Sequence, residues 1–311
     1  MEQPSFDPGL TRQFSNPLRR AINKDGSFNV RRRGASWRAF HPWLMLVDMS
    51  WTGFAAVLGL LWLTVNTGFA LIYFSIDPRE LQGIDAATRG QRFLYDFFFS
   101  AQTLTTVGYG GMAPRGILGN FVASTEALIG LMAFAVGTGL LLARVSRPSA
   151  RIAFSPHALM APYQDGISLQ FRVVNERRNN LIELEARVLL MTVVPCRNGP
   201  ERRYDQLTLE RKGVIFFPLT WTIVHPIDEN SPLYGKTAAD LEQSQAELLI
   251  LIKGFDDTFS QVVNARYSYR YDEIVWGAKF APAFRIDEAG DIVLDLALVG
   301  AITEPRQGAA A

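Results

Sequence analysis

Two long stretches of the chain carry almost no charge. Met49 to Ile76 contains no charged residue, and Gly116 to Ala143 contains one, Glu126. Each exceeds the roughly 20 apolar residues a helix needs to cross a bilayer. The first, with Trp51, Phe54, Leu60, Trp62, Leu71 and Phe74, predicts a span over 50–75, and the second predicts a span over 117–143. Between them, the aromatic run that begins at Phe93 predicts a short helix over 93–105 that enters the membrane and stops partway. Such re-entrant backbone is tolerated only where protein or water covers it. Its C-terminal dipole end would favour a cation. Ahead of the first span, 36–48 is amphipathic, with Trp37 and Trp43 suited to the headgroup zone and Pro42 limiting helix length. It reads as an interfacial helix or as a plain juxtamembrane linker.

After residue 152 the pattern changes to short apolar runs: Ser168–Val174, Leu181–Thr192, Val214–Val224, Leu248–Ile252 and Asp291–Leu296. Asp165-Gly166, Asn198-Gly199 and Lys253-Gly254 punctuate them as turn signals. This texture predicts an all-β sandwich over 152–300, with one short helix near Ala238–Gln245. The fold class is therefore a two-span α-helical membrane domain over 49–146 joined to a β-sandwich domain. A polar arm, 1–35, precedes them, and a tail, 301–311, follows.

Whole-chain averages hide this division. The 311 residues are 48% hydrophobic with a net charge of +1, values typical of a soluble protein. Basic residues cluster before the first span (Arg12, Arg19, Arg20, Lys24, Arg31, Arg32, Arg33, Arg38) and after the second (Arg144, Arg147, Arg151). The intervening 77–92 is mixed in charge. The positive-inside bias predicts a multi-pass protein of the inner (plasma) membrane with both termini cytoplasmic. The same three arginines after the second span are candidates for anionic lipid headgroups, or simply express that bias. The first apolar run begins too late for a cleaved leader. The lone Cys196 excludes an intrachain disulfide framework.

The segment Thr105-Thr106-Val107-Gly108-Tyr109-Gly110 follows the re-entrant helix. Such a strand can present backbone carbonyls to a pore, where they replace the water shell of K+. Glycine at Gly108 and Gly110 permits the unusual φ values that turn consecutive carbonyls to one axis. The candidate ion ligands are the carbonyls of Thr106, Val107, Gly108 and Tyr109. Tyr109 would brace the strand against Phe97 and Phe98. One chain supplies one wall, so several chains are required.

Glu126 lies within the second span, where an ionisable group marks function by default. It either faces the cavity, hydrogen-bonds behind the filter or pairs within the bundle, with Thr103 and Thr106 as candidate neighbours. Glu126→Gln is expected to reduce conductance or ion occupancy; an unchanged single-channel current would make Glu126 structural. Gly130, Gly137 and Gly139 either permit a gating bend or allow close helix contacts. Leu142 is a candidate apolar constriction or a lipid-facing residue. His41, His157 and His225 have no metal-ligand spacing. A P-loop, a nucleophile elbow, a Cys/His cluster, a dinucleotide fingerprint and an Arg-repeat voltage sensor are all absent. Neither an enzyme, a resident cofactor nor a nucleic-acid partner is expected.

The chain resembles the inward-rectifier potassium channels, and the prokaryotic KirBac group in particular. Beyond the filter, the resemblance rests on Val47-Asp48-Met49-Ser50-Trp51 and Ala143-Arg144-Val145-Ser146-Arg147-Pro148. It rests also on Phe154-Ser155, Arg172-Val173-Val174-Asn175-Glu176-Arg177 and His225-Pro226-Ile227-Asp228-Glu229-Asn230-Ser231-Pro232-Leu233-Tyr234. Ala265-Arg266-Tyr267-Ser268-Tyr269 and Asp272-Glu273-Ile274-Val275-Trp276-Gly277 complete it. It implies a homotetramer, a slide helix at 36–48, an immunoglobulin-like cytoplasmic domain and control by anionic phospholipid. It also implies a cytoplasmic constriction lined by Gln261, Val262, Val263, Asn264 and Ala265.

The chain departs from the family at several positions. Phe134 stands in the cavity where strong rectifiers carry an acid, so strong rectification is not expected. Gln102 and Met112 replace an ion pair that supports the filter. Leu142 replaces an aromatic gate. A less selective cation channel and a membrane-anchored sensor are the alternative readings.

Overall fold

The computed structural model describes residues 9–13, 20–31, 33–34, 41–146, 151–197 and 199–303. It divides into two compact units, 33–147 and a second made of 1–32 with 148–311.

The helical unit opens with α1, Pro42–Asp48, and proline at its first position suits a helix start. The 36–40 part of the predicted slide helix, and Arg147, lie outside the described residues. Ser50 caps α2, Trp51–Ser75, by accepting the Gly53 N–H. At about 1.5 Å per residue, its 25 residues exceed the roughly 30 Å of a bilayer core. Helix α3, Arg89–Leu104, starts four residues earlier than the aromatic run because Thr88 caps it through the Gln91 N–H. Helix α4 runs unbroken from Ile117 to Val145. A two-residue ladder between β1 (Leu81–Gln82) and β2 (Ala113–Pro114) closes the loops on either side of α3.

Glu80 fixes how α4 begins. Its carboxylate accepts the Gly119 N–H at 2.8 Å and its carbonyl accepts the Arg115 N–H at 2.8 Å. A carboxylate at a helix N-terminus complements the dipole. A Cβ on Gly116 would lie 2.0 Å from that carboxylate, so a larger residue there would push the Glu80 side chain off the Gly119 N–H.

The other unit is a β-sandwich. Its strands are β3 (Ile152–Phe154), β4 (Ala158–Tyr163), β5 (Gly166–Asn175), β6 (Leu181–Cys196), β7 (Gly199–Gln206), β8 (Gly213–Phe216), β9 (Thr220–Ile227), β10 (Glu247–Asp256), β11 (Gln261–Arg270) and β12 (Ile274–Trp276). One sheet has the order β11-β10-β6-β7, with β8 also on β6. The other has β12-β4-β5-β3, with β9 also on β5. Strict alternation in β6 buries Leu184, Ala186, Val188 and Leu190 while Glu183, Glu185 and Arg187 point out. These residues share one core with Leu169, Phe171 and Val173 of the facing sheet. Removing a side chain such as Leu190 from such a core typically costs about 2–5 kcal/mol. Three short pieces follow β12, at Lys279–Phe280, Phe284–Ile286 and Ile292–Leu294, before Ile302–Thr303 returns to pair with the first.

Two expectations are corrected here. The run Val214–Val224 is not one strand: Pro218 separates β8 from β9, which join different sheets. Proline supplies no N–H to a ladder. Lys253-Gly254 is not a turn but a bulge inside β10, where the register against β6 shifts. A Cβ on Gly254 would sit 3.0 Å from Leu184 of β6.

The arm packs on this unit through Glu273, which binds Lys24 at 2.7 Å, Arg20, and the Arg270 N–H at 3.0 Å. Ile22 is buried, its carbonyl accepts the Ser268 hydroxyl at 2.7 Å, and Glu247 accepts the Ala21 N–H. Burial pushes the Glu273 carboxyl up, but Lys24, the Arg270 N–H and Arg20 outweigh it and hold the group below its ordinary 4.5. A depressed acid stabilises the fold above its unfolded value and loses that contribution as pH falls through the folded one. Glu273→Gln should therefore speed tryptic cleavage at Arg20 and Lys24 at neutral pH. The difference from wild type should shrink below pH 4.5 in proton-exchange measurements of the arm.

Candidate functional site

The site is built where α3 ends. Thr105 closes the helix, and the chain then runs outward with φ of +59° at Thr106, +52° at Gly108 and +82° at Gly110. Left-handed residues alternate with Val107 and Tyr109, so successive peptides rotate in opposite senses. Glycine takes such values freely, whereas a β-branched threonine does so at a cost of about 1–3 kcal/mol. Strain of this kind persists only where the surroundings impose it.

The surroundings here are the amides' own partners. Thr106 N–H donates to the Thr103 carbonyl at 3.0 Å, and Val107 and Gly108 both donate to the Gln102 carbonyl, at 2.9 and 3.3 Å. Tyr109 N–H donates to the Gln102 side-chain Oε1 at 3.1 Å. The N–H groups of Thr106 to Tyr109 all turn back to α3. Among the described residues, no protein donor reaches the carbonyl oxygens of this stretch. A row of free carbonyls on the side opposite its amides is what a dehydrated monovalent cation requires.

Gln102 is thus the residue that holds the strand. It is 7% exposed, and its Nε2 has no partner in the subunit. Met112 packs in an apolar cluster with Tyr73, Leu81, Phe99 and Ala123. Where the family pattern has an ion pair, this chain has a single amide acceptor and an apolar filler. Gly83 backs the outer end of the strand: a Cβ there would lie 1.8 Å from the Gly111 carbonyl.

Several placements differ from the sequence reading. Glu126 does not line a cavity. It is fully buried within one subunit, bound by Tyr73 Oη at 2.7 Å and Ser100 Oγ at 2.5 Å, with Asn66 next in line. Thr103 is not among its hydrogen-bond partners: that hydroxyl donates to the Phe99 carbonyl. The expectation that Glu126→Gln reduces conductance by removing a pore charge loses its basis. Tyr109 does not pack on Phe97 and Phe98 of its own subunit: it is 86% exposed, and Phe97 instead meets Trp62 and Phe98 edge-on.

Gly130 is a contact point, because a Cβ there would lie 2.0 Å from the Leu104 carbonyl; a Cβ at Gly137 or Gly139 would meet nothing within 4 Å beyond its own helix backbone. Arg144 is not free for a headgroup. Its guanidinium binds the carbonyls of Leu46, Val47 and Met49 at the end of α1 and lies over the Trp51 and Phe54 rings. Cations complement a helix C-terminus, and this one spans two elements. Arg151 is exposed, as are Phe134 and Leu142 on α4. In the β unit, Val263 and Ala265 cannot line a constriction: Val263 is 4% exposed and both pack in the sandwich core. Gln261, Val262 and Asn264 point outward.

Sequence reasoning missed the left-handed Thr106, the Gln102 carbonyl and the Tyr73–Ser100–Asn66 cluster. The first two are local backbone geometry within 102–109, and only the last depends on contacts between segments far apart in the chain. The polar Asn66 and Ser100 inside apolar runs were the available signal.

Comparison with known proteins bears on this site. Residues 152–308 match the inward rectifier potassium channel C-terminal domain, and residues 51–147 match the ion channel family. The chain is 37% identical over 283 residues to inward rectifier potassium channel Kirbac3.1 of Paramagnetospirillum magnetotacticum, covering 89% of this chain and 93% of that one. It is 28% identical over 254 residues to human inward rectifier potassium channel 18, and also to bovine ATP-sensitive inward rectifier potassium channel 12. Those matches cover 76% of this chain but only 59% and 60% of the longer animal proteins. Two helices long and apolar enough to cross a membrane, a β-sandwich, and these matches over both units lead to one assignment: the chain belongs to the inward-rectifier potassium channels, in their prokaryotic branch, and is a membrane ion channel rather than an enzyme.

Proposed function

We propose that four copies of the chain form a passive K+ pore whose selective segment is Thr106 to Gly110. The observation that carries this reading is the turning of four consecutive amides toward α3, which leaves the carbonyls of Thr106, Val107, Gly108 and Tyr109 for ions. One subunit forms one wall, and the 86% exposure of Tyr109 provides a surface for a neighbouring copy. The basic arm and the arginines after α4 support a topology across the inner (plasma) membrane with both termini in the cytoplasm. Gating proceeds by movement of α4 and of the β domain, and Arg144, which ties the end of α1 to the end of α4, carries part of that coupling. Anionic phospholipid modulates the channel through the juxtamembrane basic residues, of which Arg151 is exposed. Phe134 supplies no acid to hold a blocking polycation, so rectification is weak.

Purified protein in liposomes loaded with KCl should take up rubidium, resist sodium competition and be blocked by barium. Absence of flux in several lipid compositions would favour a membrane-anchored sensor. Equal passage of sodium and rubidium would favour a less selective cation channel, the reading that the single Gln102 acceptor supports.

A further inference from the structure

The cluster around Glu126 has a proton count that fixes its state. Asn66 Nδ2 donates to the Trp62 carbonyl at 2.7 Å, so the amide cannot be flipped: a flip would set two acceptors face to face. Asn66 Oδ1 is therefore the acceptor that meets Ser100 Oγ at 3.1 Å. The same Ser100 oxygen lies 2.5 Å from Glu126 Oε1. A hydroxyl has one hydrogen and can serve only one of these two acceptors. Tyr73 Oη, 2.7 Å from Glu126 Oε2, supplies its hydrogen to that oxygen. Among the described residues no basic side chain forms an ion pair with Glu126; the Arg92 guanidinium is engaged with Asp96, one turn away from Ser100 on α3. A carboxylate at Glu126 would leave an oxygen lone pair facing another in a fully buried site. A carboxylic acid leaves none.

We propose that Glu126 is held as a neutral acid and donates to Ser100, completing a hydrogen-bond chain Tyr73→Glu126→Ser100→Asn66→Trp62 carbonyl that positions α3 between the two spans. Every link but the last, which stays within α2, joins different elements: Tyr73 and Asn66 lie on α2, Ser100 on α3 and Glu126 on α4. Gln102, which holds the filter strand, follows Ser100 by two residues on the same helix. Glu126 acts through α3 and does not touch the ion, so it is a positioning residue. Half-satisfied buried networks are worse than apolar ones, whereas a complete one rigidifies and specifies its surroundings.

Glutamine is the test of the protonation state, because its amide donates and accepts at the same places as a neutral acid. The readout of selectivity rests on the conducting-filter reading; the spectroscopic readout does not. In infrared difference spectra of the full-length protein in liposomes at pH 7, wild type minus Glu126→Gln should show the carbonyl band of a protonated carboxyl group. Glu126→Gln should keep wild-type rubidium-over-sodium preference within about twofold, whereas Glu126→Leu should lose about tenfold, the effect of leaving buried hydroxyls unpaired. Absence of the protonated-carboxyl band would overturn the proposal. So would a Glu126→Gln channel as unselective as Glu126→Leu, which would show that the charge is needed. If Glu126→Leu does not assemble, the spectrum and the glutamine variant still decide. If the wild type does not conduct, the band alone decides the state of Glu126, and the failure belongs to the conduction reading.

Discussion

Gly108→Ala is expected to abolish rubidium uptake while the protein still assembles in the membrane. Gly108 has φ of +52° and no neighbour within 4 Å of a built Cβ in its own subunit. The effect is therefore conformational rather than steric at the level of one chain. A left-handed L-residue costs about 1–2 kcal/mol, repeated in each wall of the pore. The nearest relief is rotation of the peptide into a right-handed conformation. That rotation breaks the Gly108 N–H contact with the Gln102 carbonyl, which at 3.3 Å is the longest of the strand's four amide bonds. It also swings an adjoining carbonyl off the axis, so one ion site loses a ligand in every subunit. The fold has no other stake in this residue: α2, α3 and α4 pack without it. Detergent-solubilised variant should elute at the wild-type position with wild-type thermal stability, and the liposomes should be silent to rubidium. Selective flux at the wild-type rate would exclude the carbonyl mechanism for this strand.

The architecture was legible in the sequence because its strongest signals are local. An uncharged run longer than a bilayer is thick, and alternation with period two in 184–190, depend on no distant partner. The candidate filter segment could be picked out for the same reason, as a contiguous string of residues whose proposed chemistry lies in its backbone. What could not be read was the orientation of single side chains. Glu126 stayed open between a cavity charge, a filter support and a bundle partner because the span hides which face of a helix meets α2 and α3, and the answer lies in Tyr73 and Ser100, 53 and 26 residues away. Arg144 carried the signature of an inner-leaflet basic residue, yet the end of α1 captures it. In the β unit, Val263 and Ala265 fell inside a motif taken as a block, while a strand exposes only alternate members of any such block. Pro218 was a readable signal that the run 214–224 breaks. Gly254 was the opposite case, since a bulge and a turn share the same glycine.

The three glycines of α4 illustrate how much hangs on a neighbour that sequence does not reveal, and Gly130→Ala carries the second large expected effect. Its Cβ would stand 2.0 Å from the Leu104 carbonyl oxygen and 3.1 Å from the Leu104 Cα. An ordinary carbon–oxygen contact is about 3.3 Å or more, so the end of α3 must retreat by more than about 1 Å. That end cannot move alone. Leu104 is the last residue of α3, and the carbonyls of Gln102 and Thr103 beside it receive the amides of Thr106, Val107 and Gly108. Displacing it drags the strand's anchor and strains the Ser100–Glu126 contact one turn back. Gly130→Ala should therefore lose rubidium selectivity or tetramer yield, read by sodium competition and by gel filtration. Gly137→Ala and Gly139→Ala meet nothing within the subunit, and each replaces a poor helix former with a good one, worth about 0.5–1 kcal/mol. Both should assemble as well as wild type and keep its ion preference. If they alter only the fraction of time the pore conducts, the bend belongs to them and Gly130 is a packing residue. Were Gly130→Ala to conduct selectively at the wild-type rate, α3 and α4 would have to separate freely, and the rigid seat assigned here to the filter would be wrong.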